Sequence, residues 1–128
     1  MTLDTSALVA ILFGEPGYLD LIDRILEAET VRIGAPTLVE AGMVLAGRRG
    51  ALGNELDELV KELAVTVVPF GEAEWHRASQ AFARFGRGRH RAGLNFGDCL
   101  AYGVAAAAAD ALLYVGDDFR HTDIRSAG

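Results

Sequence analysis

The sequence predicts an α/β fold, a central parallel sheet flanked by helices. Three observations carry that expectation. Short aliphatic and β-branched segments alternate with longer segments of helical periodicity. Strands separated by helices pair in parallel through right-handed crossovers. The stretch 96–109 is almost wholly apolar, as suits a helix covered by its neighbours. The chain has 128 residues, the size of one ordinary domain, and 51% are hydrophobic, enough for a core.

Residues 1–4 form a short first strand, and "TSALVAILF" follows as a helix. "GYLDLIDRILEA" sets Leu19, Ile22, Ile25 and Leu26 on one face at helical spacing. "VRIGA" at 31–35 is the second strand, and "TLVEAGMVLAGRRG" is a helix ended by Gly50. "NELDELVKELA" aligns Leu56, Leu59, Val60 and Leu63 on an amphipathic helix. "AVTVVPF" at 64–70 is β-branched and bounded by Pro69, a third strand. "EAEWHRASQAFARF" aligns Trp75, Ala78, Phe82 and Phe85, which makes Trp75 a core residue rather than a base-stacking platform. A Gly- and Arg-rich loop spans 86–94, helix 96–109 comes next, and "ALLYV" at 111–115 is a buried strand closed by the turn "GDDF".

Composition excludes several classes. No run of 18 apolar residues exists to span a membrane. The first 15 residues lack a basic region and open with Asp4, unlike a signal peptide. A single cysteine, Cys99, excludes an intrachain disulfide and a Cys-rich zinc site. These features favour a cytoplasmic protein. A net charge of −6 argues against a general nucleic-acid binder. Yet "RFGRGRHR" at 84–91 carries Arg84, Arg87, Arg89, Arg91 and His90 with no acid, and arginine suits bidentate phosphate contacts.

The acids fall at element boundaries. Asp4 ends the first strand, Asp117 and Asp118 follow the last, and Glu40 and Asp98 lie in first turns of helices. Helices of a parallel sheet begin where strands end, and there ligands bind. Each acid also has a local explanation. "TLVE" reads as a capping box from Thr37 to Glu40, "NFGD" as another from Asn95 to Asp98, and Asp4 as an N-cap. Asp117 and Asp118 suit a turn. Capping does not predict convergence, however. Two carboxylates ~4 Å apart repel by about 4 kcal/mol at an effective dielectric near 20, whereas a helix N-terminus returns only ~0.3–1 kcal/mol. Converging acids therefore hold protons or a divalent cation, and an all-oxygen donor set favours Mg²⁺ or Mn²⁺.

Three blocks carry a resemblance: "LDTSALVAILFGE", "GRGRHRAGLNFGDCLAYG" and "LLYVGDDFRHTDI". In order and spacing they resemble the PIN-domain ribonucleases, more narrowly the VapC toxins of bacterial toxin–antitoxin pairs. With Glu40 the likeness spans nearly the whole chain, residues 1–128 as one PIN domain. It implies a PIN-like three-layer fold and a Mg²⁺- or Mn²⁺-dependent endoribonuclease cutting single-stranded or loop RNA, in tRNA or rRNA. It also implies a VapB antitoxin partner and a homodimer. The family's acids fall on Asp4, Glu40 and Asp98. The fourth falls in "GDDF", where a Gly-x-Asp-Phe pattern favours Asp118 and spacing leaves Asp117 open.

On this resemblance Asp4 and Asp98 are the main metal ligands, with Glu40 and the Asp117/Asp118 pair completing the cluster. Hydrolysis then leaves a 5′-phosphate. Thr5 and Ser6 match positions that orient a metal water or a phosphate, and Arg87, Arg89 and Arg91 hold RNA phosphates or meet an acidic antitoxin segment. His90 and His121 are the nearest histidines, His76 sits on a helix, and Cys99 reads as a small core residue. A receiver domain would need an early acidic pair, and a haloacid-dehalogenase phosphatase would need Asp-x-Asp where this chain has Asp4-Thr5-Ser6. The non-enzyme alternative is a catalytically inactive PIN-like module that binds RNA or protein.

Overall fold

The structure, a computed structural model, describes residues 1–50 and 54–128. Strand β1 (Thr2–Leu3) leads into helix α1 (Thr5–Leu12), followed by α2 (Tyr18–Glu27). Strand β2 (Arg32–Gly34) feeds α3 (Ala35–Arg49), and α4 (Glu55–Glu62) leads to β3 (Thr66–Val68). Helices α5 (Glu72–Phe85) and α6 (Phe96–Ala107) precede β4 (Leu112–Leu113) and a 3₁₀ turn at Asp118–His121.

The four strands pair in parallel in the order β3-β2-β1-β4, as the alternation of elements predicts. They are shorter than the apolar segments that encode them. Asp4 leaves the sheet to cap α1, and 111–115 contributes only Leu112 and Leu113. Successive side chains on a strand face opposite sides, and β4 shows the result. Leu113 joins the core beneath α1, α2 and β2 with Leu3, Leu8, Ile25 and Ile33. Leu112 joins the other core with Ala81, Phe85, Ala101, Tyr102 and Phe119. The sheet is thus sandwiched between two helical layers.

Glycines set the approach of α6. A Cβ on Gly34 would stand 2.8 Å from Val104 Cγ2, so β2 meets α6 directly. One on Gly103 would stand 2.6 Å from the Glu74 carbonyl, so α5 and α6 pack backbone to side. These contacts fix the helix that carries Asp98. Among the described residues no helix is long and apolar enough to cross a membrane.

Several sequence expectations are corrected. Helix α3 begins at Ala35 with Gly34 as its N-cap and Pro36 in its first turn, so Thr37 is not the cap and "TLVE" forms no capping box. Pro36 fits there because first-turn amides have no helical partner. Trp75 is 57% exposed and stacked on His76, and Phe82 is also exposed; only Ala78 and Phe85 of that stripe are buried. On α2, Ile25 is buried while Leu19 and Leu26 stand in solvent. In both helices the apolar stripe is wider than the surface that the neighbouring elements cover.

Candidate active site

The ends of β1 and β4, the starts of α1 and α6 and the middle of α3 meet around a cavity of about 230 Å³, so Glu40 lies beyond the first turn where the sequence placed it. Asp4, Glu40, Asp98 and Asp118 all line it, with Thr5 and Ser6 between them and Val9, Val44, Val115 and Phe119 as apolar wall. The acids foreseen at separate boundaries therefore converge.

Asp4 is 5% exposed at the N-cap of α1. Its Oδ2 accepts from the Ser6 amide at 3.1 Å and from the Ser6 hydroxyl at 2.6 Å. Ser6 Oγ in turn accepts from the Val115 amide at 2.9 Å, tying the first acid to the strand end opposite. Burial pushes the Asp4 carboxyl above its ordinary range against the pull of the Ser6 bonds, and Glu40 adds repulsion. The Thr5 hydroxyl donates to Glu40 Oε1 at 2.5 Å, with the Thr37 carbonyl as a second, longer acceptor 3.3 Å from the Thr5 Oγ1. Both hydroxyls, expected to meet a phosphate or a metal water, thus engage carboxylates and aim them. The Thr37 hydroxyl is buried without a partner.

Asp98 sits at the third position of α6 in a reciprocal capping box. Its amide donates to Asn95 Oδ1 at 2.9 Å, and the Asn95 amide donates to its Oδ2 at 3.1 Å. One oxygen is thereby fixed, and the side chain lines the cavity. Burial pushes this carboxyl up to about 7 against the pull of the Asn95 amide, and Asp118, Asp4 and Glu40 repel the charged form further. Gly97 makes room, because a Cβ there would collide with the Glu40 carboxylate.

Asp118 lines the cavity at the start of the 3₁₀ turn, where buried Phe119 anchors the segment. Asp117 is exposed, pairs with Arg120 at 3.1 Å and is absent from the lining. The geometry thus separates the two acids that spacing left open.

The donor set fits a hard divalent cation. Four carboxylates line the cavity, and no Lys, Arg or His among the described residues does. The Asp4 and Asp98 carboxyls are raised first by burial and then by repulsion from the neighbouring carboxylates. Among the described residues no three acids, cysteines or histidines form a ready-made ligand cluster. Mg²⁺ keeps several waters and takes as few as one or two carboxylates directly.

Other foreseen groups lie outside the cavity. Arg87, Arg89 and Arg91 are exposed on the loop before α6, and the Arg89 guanidinium stands 5.2 Å from the Phe82 ring centre. His90 packs edge-on against Phe85 while its Nδ1 accepts from the Ala92 amide. His121 is exposed, and His76 lies 3.5 Å from Glu72. Cys99 is buried, and burial followed by repulsion from Asp98 pushes its thiol up to about 11, consistent with a packing role.

One arrangement was not foreseen from the sequence. The Tyr102 hydroxyl donates to Asp123 Oδ1 at 2.6 Å, and Arg84 donates to Oδ2 at 2.9 Å. This clamp ties α5 and α6 to the segment behind Asp118. Its only sequence signal was the tyrosine in an otherwise apolar helix, whose hydroxyl needs a partner when buried.

The PIN domain family profile matches residues 1–125. Ribonuclease VapC28 of Mycobacterium tuberculosis is 41% identical across 99% of this chain and 97% of its own. Ribonuclease VapC30 of the same species is 40% identical across 97% of this chain and 95% of its own. Ribonuclease VapC of Mycolicibacterium smegmatis is 39% identical across 97% of both.

Proposed function

The chain belongs to the PIN domain family, and on that premise we propose that it is a VapC-type ribonuclease, the toxin of a toxin–antitoxin pair, hydrolysing RNA at the acidic cavity with Mg²⁺ or Mn²⁺. The observation that carries this is the convergence of Asp4, Glu40, Asp98 and Asp118 on one cavity that no cationic side chain among the described residues lines. The ribonuclease names of its relatives, over nearly full length, support the same activity.

A divalent cation, when bound, supplies Lewis-acid polarisation of the scissile phosphate and a lowered pKa for water. Asp4 and Asp98 would hold it. Ser6 fixes the aim of Asp4, and the Asn95 amide fixes that of Asp98. Glu40, oriented by Thr5, and Asp118 accept hydrogen bonds from water in the cavity. They take up the proton released as water adds to phosphorus in line with the 3′ oxygen, and a proton returns to that oxygen as its bond to phosphorus breaks, leaving a 3′-hydroxyl and a 5′-phosphate. Carboxylates do this work because no histidine or lysine among the described residues lines the cavity.

The substrate is single-stranded or looped RNA, whose backbone can enter a recess of this size. A VapB-type antitoxin is the expected partner, and a homodimer the expected assembly. The test is cleavage of single-stranded RNA with Mg²⁺ or Mn²⁺ by wild type and by Asp98→Asn. We expect cleavage that chelation abolishes and that the variant lacks. Undiminished cleavage by a correctly folded Asp98→Asn protein overturns the assignment.

A further inference from the structure

We propose that Phe96 is a stacking platform for a nucleobase of the RNA strand, seated beside the acidic cavity, with the Phe82–Arg89 pair at the other root of the same loop. This rests on the ribonuclease assignment and adds to it the residue that grips the strand.

Phe96 is 80% exposed, more than any other large apolar side chain among the described residues. It stands in water although burial would favour it, and its position is rigid. It is the first residue of α6, bracketed by the Asn95–Asp98 capping box. The next residue, Gly97, is wedged against Glu40 at the cavity wall. One residue, Gly97, separates Phe96 from Asp98 in the first turn of α6, so a base stacked on the ring belongs to a nucleotide close to the phosphate in the cavity.

The surroundings match the chemistry of a single strand. Between Trp75 and Gly97 the chain carries Arg77, Arg84, Arg87, Arg89 and Arg91 and no acid, although the whole chain has a net charge of −6. Arg84 is committed to Asp123, whereas Arg87, Arg89 and Arg91 have no carboxylate partner among the described residues. The loop closes on itself through the Leu94 amide to the Phe85 carbonyl and the Arg87 amide to the Leu94 carbonyl. Its two roots are therefore adjacent. Phe82, one turn before the first root, lies under the Arg89 guanidinium, and Phe96 follows the second root. Exposed aromatic rings among uncommitted arginines stack bases and neutralise phosphates together. An acidic peptide would also satisfy the arginines and could cover Phe96, and the binding test below separates it from RNA. A duplex keeps its bases stacked inside and offers the ring none.

The test measures binding without cleavage. A single-stranded RNA oligonucleotide carrying 2-aminopurine is titrated with the full-length protein in EDTA, following anisotropy and 2-aminopurine fluorescence. Loss of one base–aromatic stack predicts binding weakened roughly five- to hundredfold in Phe96→Ala. We expect the fluorescence quench to be lost with it, Phe96→Trp to restore both, and Leu26→Ala, an equally solvent-facing apolar change on α2, to alter neither. Wild-type affinity and quench in Phe96→Ala overturn the platform. So does a change of oligomeric state in Phe96→Ala that accounts for the weaker binding, since Phe96 would then belong to a protein interface. If wild type cuts RNA while Phe96→Ala binds normally, the platform alone falls. If wild type neither binds nor cuts single-stranded RNA, the ribonuclease assignment falls with it.

Discussion

The Thr5 hydroxyl donates to Glu40 Oε1 across 35 residues of sequence, joining the first turn of α1 to α3 inside the acidic cavity. A neutral donor thereby aims a carboxylate without supplying the positive charge that would quench the site. Thr5→Val keeps the shape and removes the donor. Deleting a hydrogen bond to a charged group costs about 1.5–3 kcal/mol at a buried site, at the low end here because Glu40 is partly exposed. We expect a lower melting temperature and cleavage reduced roughly tenfold or more, with Thr5→Ser restoring most of both. Equal activity of the Val variant would show that Glu40 needs no such guide.

Gly97→Ala tests the closest approach in the site. The added methyl collides with the Glu40 carboxylate, which must move. Alanine otherwise favours a helix by about 1 kcal/mol over glycine. The prediction is therefore a folded protein with impaired cleavage and weaker Mn²⁺ binding by calorimetry. Unchanged Mn²⁺ affinity would place Glu40 outside the metal's reach.

The metal-free protein should lose stability as pH rises from about 4 to about 7. The Asp98 carboxyl titrates at about 7 when folded against an ordinary 3.8. In that window the folded state binds more protons than the unfolded one, so unfolding becomes easier with rising pH. Asp4 shifts in the same direction. Denaturant titrations in EDTA across this window should show the decline, and Asp98→Asn should flatten it. Added Mg²⁺ should raise the melting temperature more at pH 8 than at pH 5.

The Tyr102–Asp123–Arg84 clamp makes the opposite pH prediction. Burial pushes Asp123 up, but the bonds from Tyr102 and Arg84 outweigh it and hold the carboxyl below its ordinary range. Its contribution is complete above the unfolded value and fades as pH falls through the folded one. Because Asp123 is half-exposed, its loss should cost only about 1 kcal/mol. Asp123→Asn should lower the melting temperature at pH 7 and have less effect at pH 3. An equal effect at both pH values would remove the ionic component.

The fold was legible because helical and strand periods alternate, and the acids because helices of a parallel sheet begin where strands end. Legibility failed where two local rules competed. "TLVE" has the letters of a capping box, but Gly34 caps the helix three residues earlier with Pro36 in its first turn, freeing Glu40 for Thr5. Periodicity placed Trp75 and Phe82 on an apolar stripe, yet it carries no information on how much of that stripe a neighbour covers. Asp117 and Asp118 are separated only by the turn that buries Phe119, a tertiary event that two adjacent identical letters cannot encode.

The sheet pairs its first strand with its last. The amide of Asp4 donates to the carbonyl of Leu113, and Ser6 is held by Val115. Asp4 is therefore set in place by residues made more than a hundred positions later. A nascent chain that has not reached Asp118 lacks both the strand that seats Asp4 and the fourth carboxylate. The acidic cavity is therefore completed only once the segment that carries Asp118 has been made.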